Sequence, residues 1–156
     1  LTGLGGFIIA SGLASLLGGR TFGRMADRSS KRLMTFGAAL ASLVLVTLVL
    51  LDTTLDLDGG SLLTYAVFVT AYFLVTLLHT GVRVGRKTYV VDMAEGDQRT
   101  TYVAVSNSAM GLVLLVVGAV SSAIAGWSII GTLLFLAALG VLGVISSRRL
   151  PDVEQA

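Results

Sequence analysis

Residues 18–34, GGRTFGRMADRSSKRLM, set Arg20, Arg24, Arg28, Lys31 and Arg32 around a single acid, Asp27, between uncharged runs that end at 19 and resume at 33. So abrupt a change from uncharged to cationic and back marks a water-exposed link between two segments that avoid water. The flanking runs, 1–19 and 33–51, each have the length of about 20 apolar residues that carries a helix across roughly 30 Å of hydrocarbon. Two more uncharged runs come later, 59–82 and 100–147; the first fits one span and the second is too long for one. Its natural break is Ala125, Gly126, Trp127 and Ser128, where a glycine permits a turn and a tryptophan suits the interface. The expectation is an all-α membrane protein, one transmembrane domain over 1–156 with five spans at 2–19, 33–51, 61–82, 101–125 and 128–146.

Composition supports that class. Apolar residues make up 54% of the chain and charged residues 13%, with a mean hydropathy of +0.89. A water-soluble domain carries about a quarter of its residues charged, so this chain is far short of a polar coat. There is no cysteine, hence no disulfide framework and no thiolate nucleophile or metal ligand, and a lone His79 leaves no histidine cluster for a metal. Neither metal nor cofactor is expected. The net charge of +2 does not point to nucleic acid, because the basic residues border apolar runs instead of forming a stripe interleaved with aromatics. No enzyme is indicated: the chain lacks a Ser-His-Asp set, an acid pair within a span and a phosphate-binding loop, and the glycines near 18–23 lack the Lys-Ser/Thr that such a loop needs. Leu1 is not a methionine, and 1–19 has neither a basic leader nor a small-residue cleavage pattern; it does not read as a signal peptide, and a fragment of a longer chain is expected.

All eleven Lys and Arg fall in alternate connections: five in the opening link, Arg83, Arg86, Lys87 and Arg99 between spans three and four, and Arg148 and Arg149 after span five. The intervening connections hold no base, only Asp52, Asp56 and Asp58 in one and no charge in the other. Cytoplasmic loops collect Lys and Arg, so this alternation places the N-terminus outside and the C-terminus in the cytoplasm.

The spans differ in polarity. Spans two and five carry little beyond Thr35, Ser42 and Thr47, and Ser128 and Thr132, as lipid-facing or peripheral helices do. Span three carries Thr64, Tyr65, Thr70, Tyr72, Thr76, His79 and Thr80; span four carries Tyr102, Ser106, Asn107, Ser108, Ser121 and Ser122. Polar groups within a bilayer need partners or water, so Tyr72, Thr76, His79, Ser106 and Asn107 are candidates to line a cavity, the alternative being hydroxyls bonded to carbonyls of their own helix. Small residues four apart, Gly118, Ser122 and Gly126 or Ser11 and Ser15, are candidate sites of close helix packing.

The segment GRMADRSSKRLM resembles the signature loop of the major facilitator superfamily, approximately G-x-x-x-D-R-x-G-R-R/K, with Gly23, Asp27, Arg28, Lys31 and Arg32 at matching positions and Ser30 where a second glycine is usual. The link RVGRKTYVVDMAEGDQRTTYVAVSN, 83–107, with Asp92 and Arg99, is similar to the connection between the fourth and fifth helices of a facilitator half in prokaryotic permeases. The resemblance implies helices eight to twelve, the C-terminal half of a twelve-helix transporter in the bacterial plasma (inner) membrane. The N-terminal half carries the same loop, but the middle of span three lacks the arginine often found in its fourth helix. The implied partners are the lipid bilayer, a small-molecule solute, and the missing N-terminal half or another transporter subunit.

Topology alone accounts for the cations of the opening link; it does not require Asp27 or Gly23. The resemblance implies a gate in which Asp27 reaches the start of span four, or Arg99 beside it, where free backbone N–H groups favour an acid by up to about 2 kcal/mol. The function it implies is secondary active transport by alternating access; the alternative is a non-transporting membrane module, an assembly or sensor subunit with a similar fold.

Overall fold

A computed structural model describes residues 2–55, 57, 60–94, 96–151 and 153. Their regular structure is helical throughout: α1 (Thr2–Leu55), α2 (Leu62–Met93), α3 (Gln98–Ala125) and α4 (Ile129–Arg148). All four are long and apolar enough to cross a membrane. The five separate helices expected from hydropathy are therefore four, because the first two spans, 2–19 and 33–51, belong to one 54-residue element.

That element is two helical arms joined without a loop at Ser29, the one residue of α1 with non-helical backbone (φ −167°, ψ 99°). At Ser30, where the facilitator loop that this segment resembles has a glycine suited to a tight turn, the chain is instead helical and wholly buried. The break one residue earlier uses extended backbone, which any residue adopts. Ser29 Oγ accepts the amide of Arg32 at 3.3 Å, so this serine caps the second arm. The pattern repeats at Ser61, which accepts from Thr64 N at 3.0 Å, and at Ser128, which accepts from Gly131 N at 2.9 Å.

An unbroken helix of 54 residues would reach about 80 Å at 1.5 Å per residue. It folds back instead. In the first arm, 2–28, Gly6 meets Tyr65, Gly18 meets Leu77 and Thr80, and Phe22 lies against Gly81, so this arm runs parallel to α2. In the second, 30–55, Ser30 and Met34 meet Gly85 and Gly37 meets Leu78 and Val82, so this arm runs antiparallel to it. On the second arm's other side lies α4: the Thr35 and Ser147 hydroxyls bond at 2.8 Å, and Ser42 Oγ donates to Ala137 O at 3.1 Å. The second arm thus sits between α2 and α4, with Leu33, Met34, Leu48 and Val49 buried. Span two, read from its low polarity as lipid-facing or peripheral, has neighbours on two sides and still presents Phe36, Leu40, Leu43, Val46 and Leu50 as an exposed apolar stripe.

The bare helix is α3. It touches α2 and α4 but not α1, and none of its described residues is buried. The expected packing stripes are correspondingly unused: Gly118 faces open space, Gly126 meets only carbonyls of its own turn, and Ser11 and Ser15 bond to carbonyls of their own helix. Close approach occurs at other glycines, notably Gly18, Gly37, Gly81, Gly85 and Gly140.

These contacts bring the basic connections together. The Ser29 bend lies by Gly85, Thr35 by Ser147, and Tyr89 OH donates to Pro151 O at 3.1 Å, so the bend, the end of α2 and the exit of α4 share one end of the bundle. The accessible surface, 10197 Å², exceeds the roughly 7,500 Å² of a compact soluble monomer of this mass. Much of it is leucine, isoleucine and valine, with Trp127 91% exposed at the α3–α4 turn. This is a surface for lipid.

A methyl added at Gly85 would lie 3.0 Å from both Met34 Cγ and the Ser30 carbonyl, and backbone cannot step aside. Gly85→Ala should therefore lower unfolding stability in detergent by about 1–3 kcal/mol. Gly118→Ala, in open space, should be neutral or gain up to about 1 kcal/mol of helix propensity.

Candidate functional site

The α2–α3 turn is built on Gly96, whose φ of +54° is a left-handed conformation that glycine adopts without cost. Arg99 fastens the turn, its Nε donating to Ala94 O at 3.1 Å. Two antiparallel helices leave this turn, so residues equally far from Gly96 face each other. Ten residues back is Arg86 and ten forward is Ser106, and Arg86 Nη1 donates to Ser106 Oγ at 2.8 Å. Nη2 reaches Asn107 Oδ1 at a marginal 3.5 Å.

Around this contact is a cleft of about 170 Å³ lined by Arg86, Lys87, Val90, Val91, Val103, Ser106 and Asn107. Arg86 is half-buried, and no carboxylate among the described residues pairs with it. Asp92 and Asp97, the nearest described acids in sequence, are exposed. Among the described residues this guanidinium bonds only to neutral groups, Ser106 and Asn107.

Of the expected cavity residues, Ser106 and Asn107 line this cleft. His79 is exposed and precedes Arg86 by seven residues, two helical turns, which puts it on the same face of α2. Tyr72 packs edge-on against Phe7 of α1, ring centroids 5.3 Å apart. The Thr76 carbonyl accepts the Thr80 hydroxyl at 3.0 Å, a bond within one helix.

The expected gate is dispersed. Gly23 has open space beside it, Asp27, Arg28 and Arg32 are exposed and Lys31 is half-buried. Arg28 and Arg32 flank a groove of about 290 Å³ with Met25, Ser29, Leu33 and Phe36. Because α1 and α3 do not touch, Asp27 does not meet the start of α3 in this conformation, and Arg99 serves the turn. Asp92 is exposed on the last turn of α2. Asp56 and Asp58 lie outside the described residues.

Sequence reasoning missed Arg86, which the charge census absorbed as one more topological cation. The signal was the symmetry about Gly96, which pairs it with the polar residues of span four.

The fold and its apolar surface define a helical membrane protein. Comparison with known protein families, curated proteins and solved structures finds no match. The facilitator resemblance thus rests on the two loop motifs themselves.

Removing the 2.8 Å bond by Ser106→Ala should destabilise the α2–α3 hairpin by about 1–2 kcal/mol, as charge-assisted hydrogen bonds do. Asn107→Ala, at the limit of bonding distance, should cost less than half of that in the same detergent unfolding measurement.

Proposed function

We propose that this chain forms most of one half of a secondary transporter of the major facilitator type, the C-terminal half of a prokaryotic permease, moving a small solute by alternating access. The observation that carries the reading is α3: a membrane-length helix with polar Ser106 and Asn107, bare on most of its surface and joined to α2 across an open cleft. A helix that lines a solute path is covered by the opposite half of the transporter, not by its own. The small area that α3 shares with α2 and α4 leaves it room to shift.

In this reading the two arms of α1 cross the bilayer separately, which makes five crossings from four helices. The end that gathers all three basic connections faces the cytoplasm of a bacterial inner membrane, with the N-terminus outside. Asp27 and the start of α3 are apart in this conformation; in this reading they meet when that end closes. Their contact favours the outward-facing state and its loss the inward-facing one, so the present arrangement corresponds to the inward-open state.

Uptake of a panel of sugars, amino acids and organic acids into proteoliposomes tests the reading. Asp27→Asn should insert normally yet slow flux about 5- to 30-fold, the effect of a 1–2 kcal/mol latch. Unchanged flux in that variant removes the latch. Absence of flux for every solute, with stable capture of another membrane protein, favours the assembly or sensor subunit.

A further inference from the structure

We propose that the α2–α3 cleft is an oxyanion site, in which Arg86 and Lys87 bind a phosphate or carboxylate group. The site itself stands on the geometry of the cleft; only the step of naming that anion as the transported solute rests on the transport reading.

Arg86 has five N–H donors in a planar fork suited to two oxygens of one anion. Among the described residues, one is used on Ser106 Oγ and another, weakly, on Asn107 Oδ1, and the other three have no partner there. Neither acceptor carries charge. A cation set between Val90, Val91 and Val103 and bonded, among the described residues, to neutral groups alone is placed to pair with an incoming anion. Arg83, three residues earlier, is exposed and shows what a purely topological arginine does: it stays in water.

The lining completes an anion site. Lys87 adds a second positive charge on the same wall. With Oδ1 turned to Arg86, Asn107 retains its amide N–H2 donors, and the Ser106 hydroxyl, accepting from Arg86, retains its own proton to donate. A space of about 170 Å³ is well above the roughly 10–15 Å³ that admits one water, so a small oxyanion fits with part of its hydration. His79, two turns away on the same face, lies toward the apolar stretch of α2 and does not take part in the cleft.

A phosphate can reach this cleft as a free solute or on the headgroup of an anionic lipid, since Arg86 follows Gly85 at the basic end of the bundle. The chemistry is shared, and the test separates the sources. The full chain is placed in phosphatidylcholine nanodiscs and titrated with inorganic phosphate, monitored by NMR of the arginine Nε–H signals; the titration is repeated with phosphatidylglycerol in the disc. Saturable binding that shifts the Arg86 signal is expected, weakened roughly tenfold or more in Arg86→Gln and unchanged in Arg20→Gln. Arg86→Lys, which keeps the charge and loses the fork, should bind with intermediate strength, and it keeps the test decisive if the glutamine variant fails to fold. Competition by phosphatidylglycerol supports the site with a headgroup as occupant; indifference to it supports the site with a free anion. Equal phosphate affinity in wild type and both Arg86 variants, or no binding of either phosphate or phosphatidylglycerol, overturns the site. Binding without flux retires the transport reading alone, and flux of a neutral solute with no anion binding retires the oxyanion site alone.

Discussion

A backbone amide in hydrocarbon has no water to turn to, and the rest of this structure depends on that constraint. Each N–H and C=O must be satisfied within its own segment, so a chain this apolar builds helices, and the sensitive points are where helices begin and their first amides lack partners. Three of those points are met in the same way, by the hydroxyls of Ser29, Ser61 and Ser128. The hydroxyls deeper in the bundle then serve between helices, Thr35 with Ser147 and Ser42 with the carbonyl of Ala137, where apolar side chains gain little from one another over lipid.

The same economy explains the distribution of charge. One end of the bundle collects the Ser29 bend, the basic half of α2 and the exit of α4, so the cations of these connections share a confined region. Most of them reach water. Arg86 is bonded instead to polar side chains of the neighbouring membrane helix, and it turns the α2–α3 hairpin from a packing contact into a place with chemical preference. Lys87 and the two hydrogen-bonding side chains of α3 give that preference a sign and a shape.

How much of this is legible in the sequence depends on what each signal measures. Hydropathy locates the apolar stretches well: the expected 101–125 and 128–146 nearly coincide with α3 and α4. It ends span three at 82, whereas α2 continues to Met93. Arg83, Arg86 and Lys87 interrupt the apolar run but not the helix, since arginine and lysine are good helix formers; caps and turns end helices, and Ala94, in extended backbone, caps α2 here. For the same reason the charged link 20–32 reads as a loop and is helical but for one residue. Small-residue spacing fails at Gly118 and Gly126 because it carries no information about which face meets a neighbour. At the site, Ser106 and Asn107 are visible by their polarity within an apolar run; Arg86 is not, because its role depends on the register of a hairpin.

The bend at Ser29 also ties two layers of the bundle together. Ordinary loops absorb insertions because they uncouple the elements they join. A joint of one residue couples them: each residue added to or removed from a helix rotates the chain beyond it by about 100°. The first arm and its contacts with α2 therefore fix the rotational phase of the second, and with it whether Thr35 meets Ser147 and Ser42 meets Ala137 on the far side. Length at this point of the chain is itself specified, and the cationic link acts as a gear tooth between the two arms.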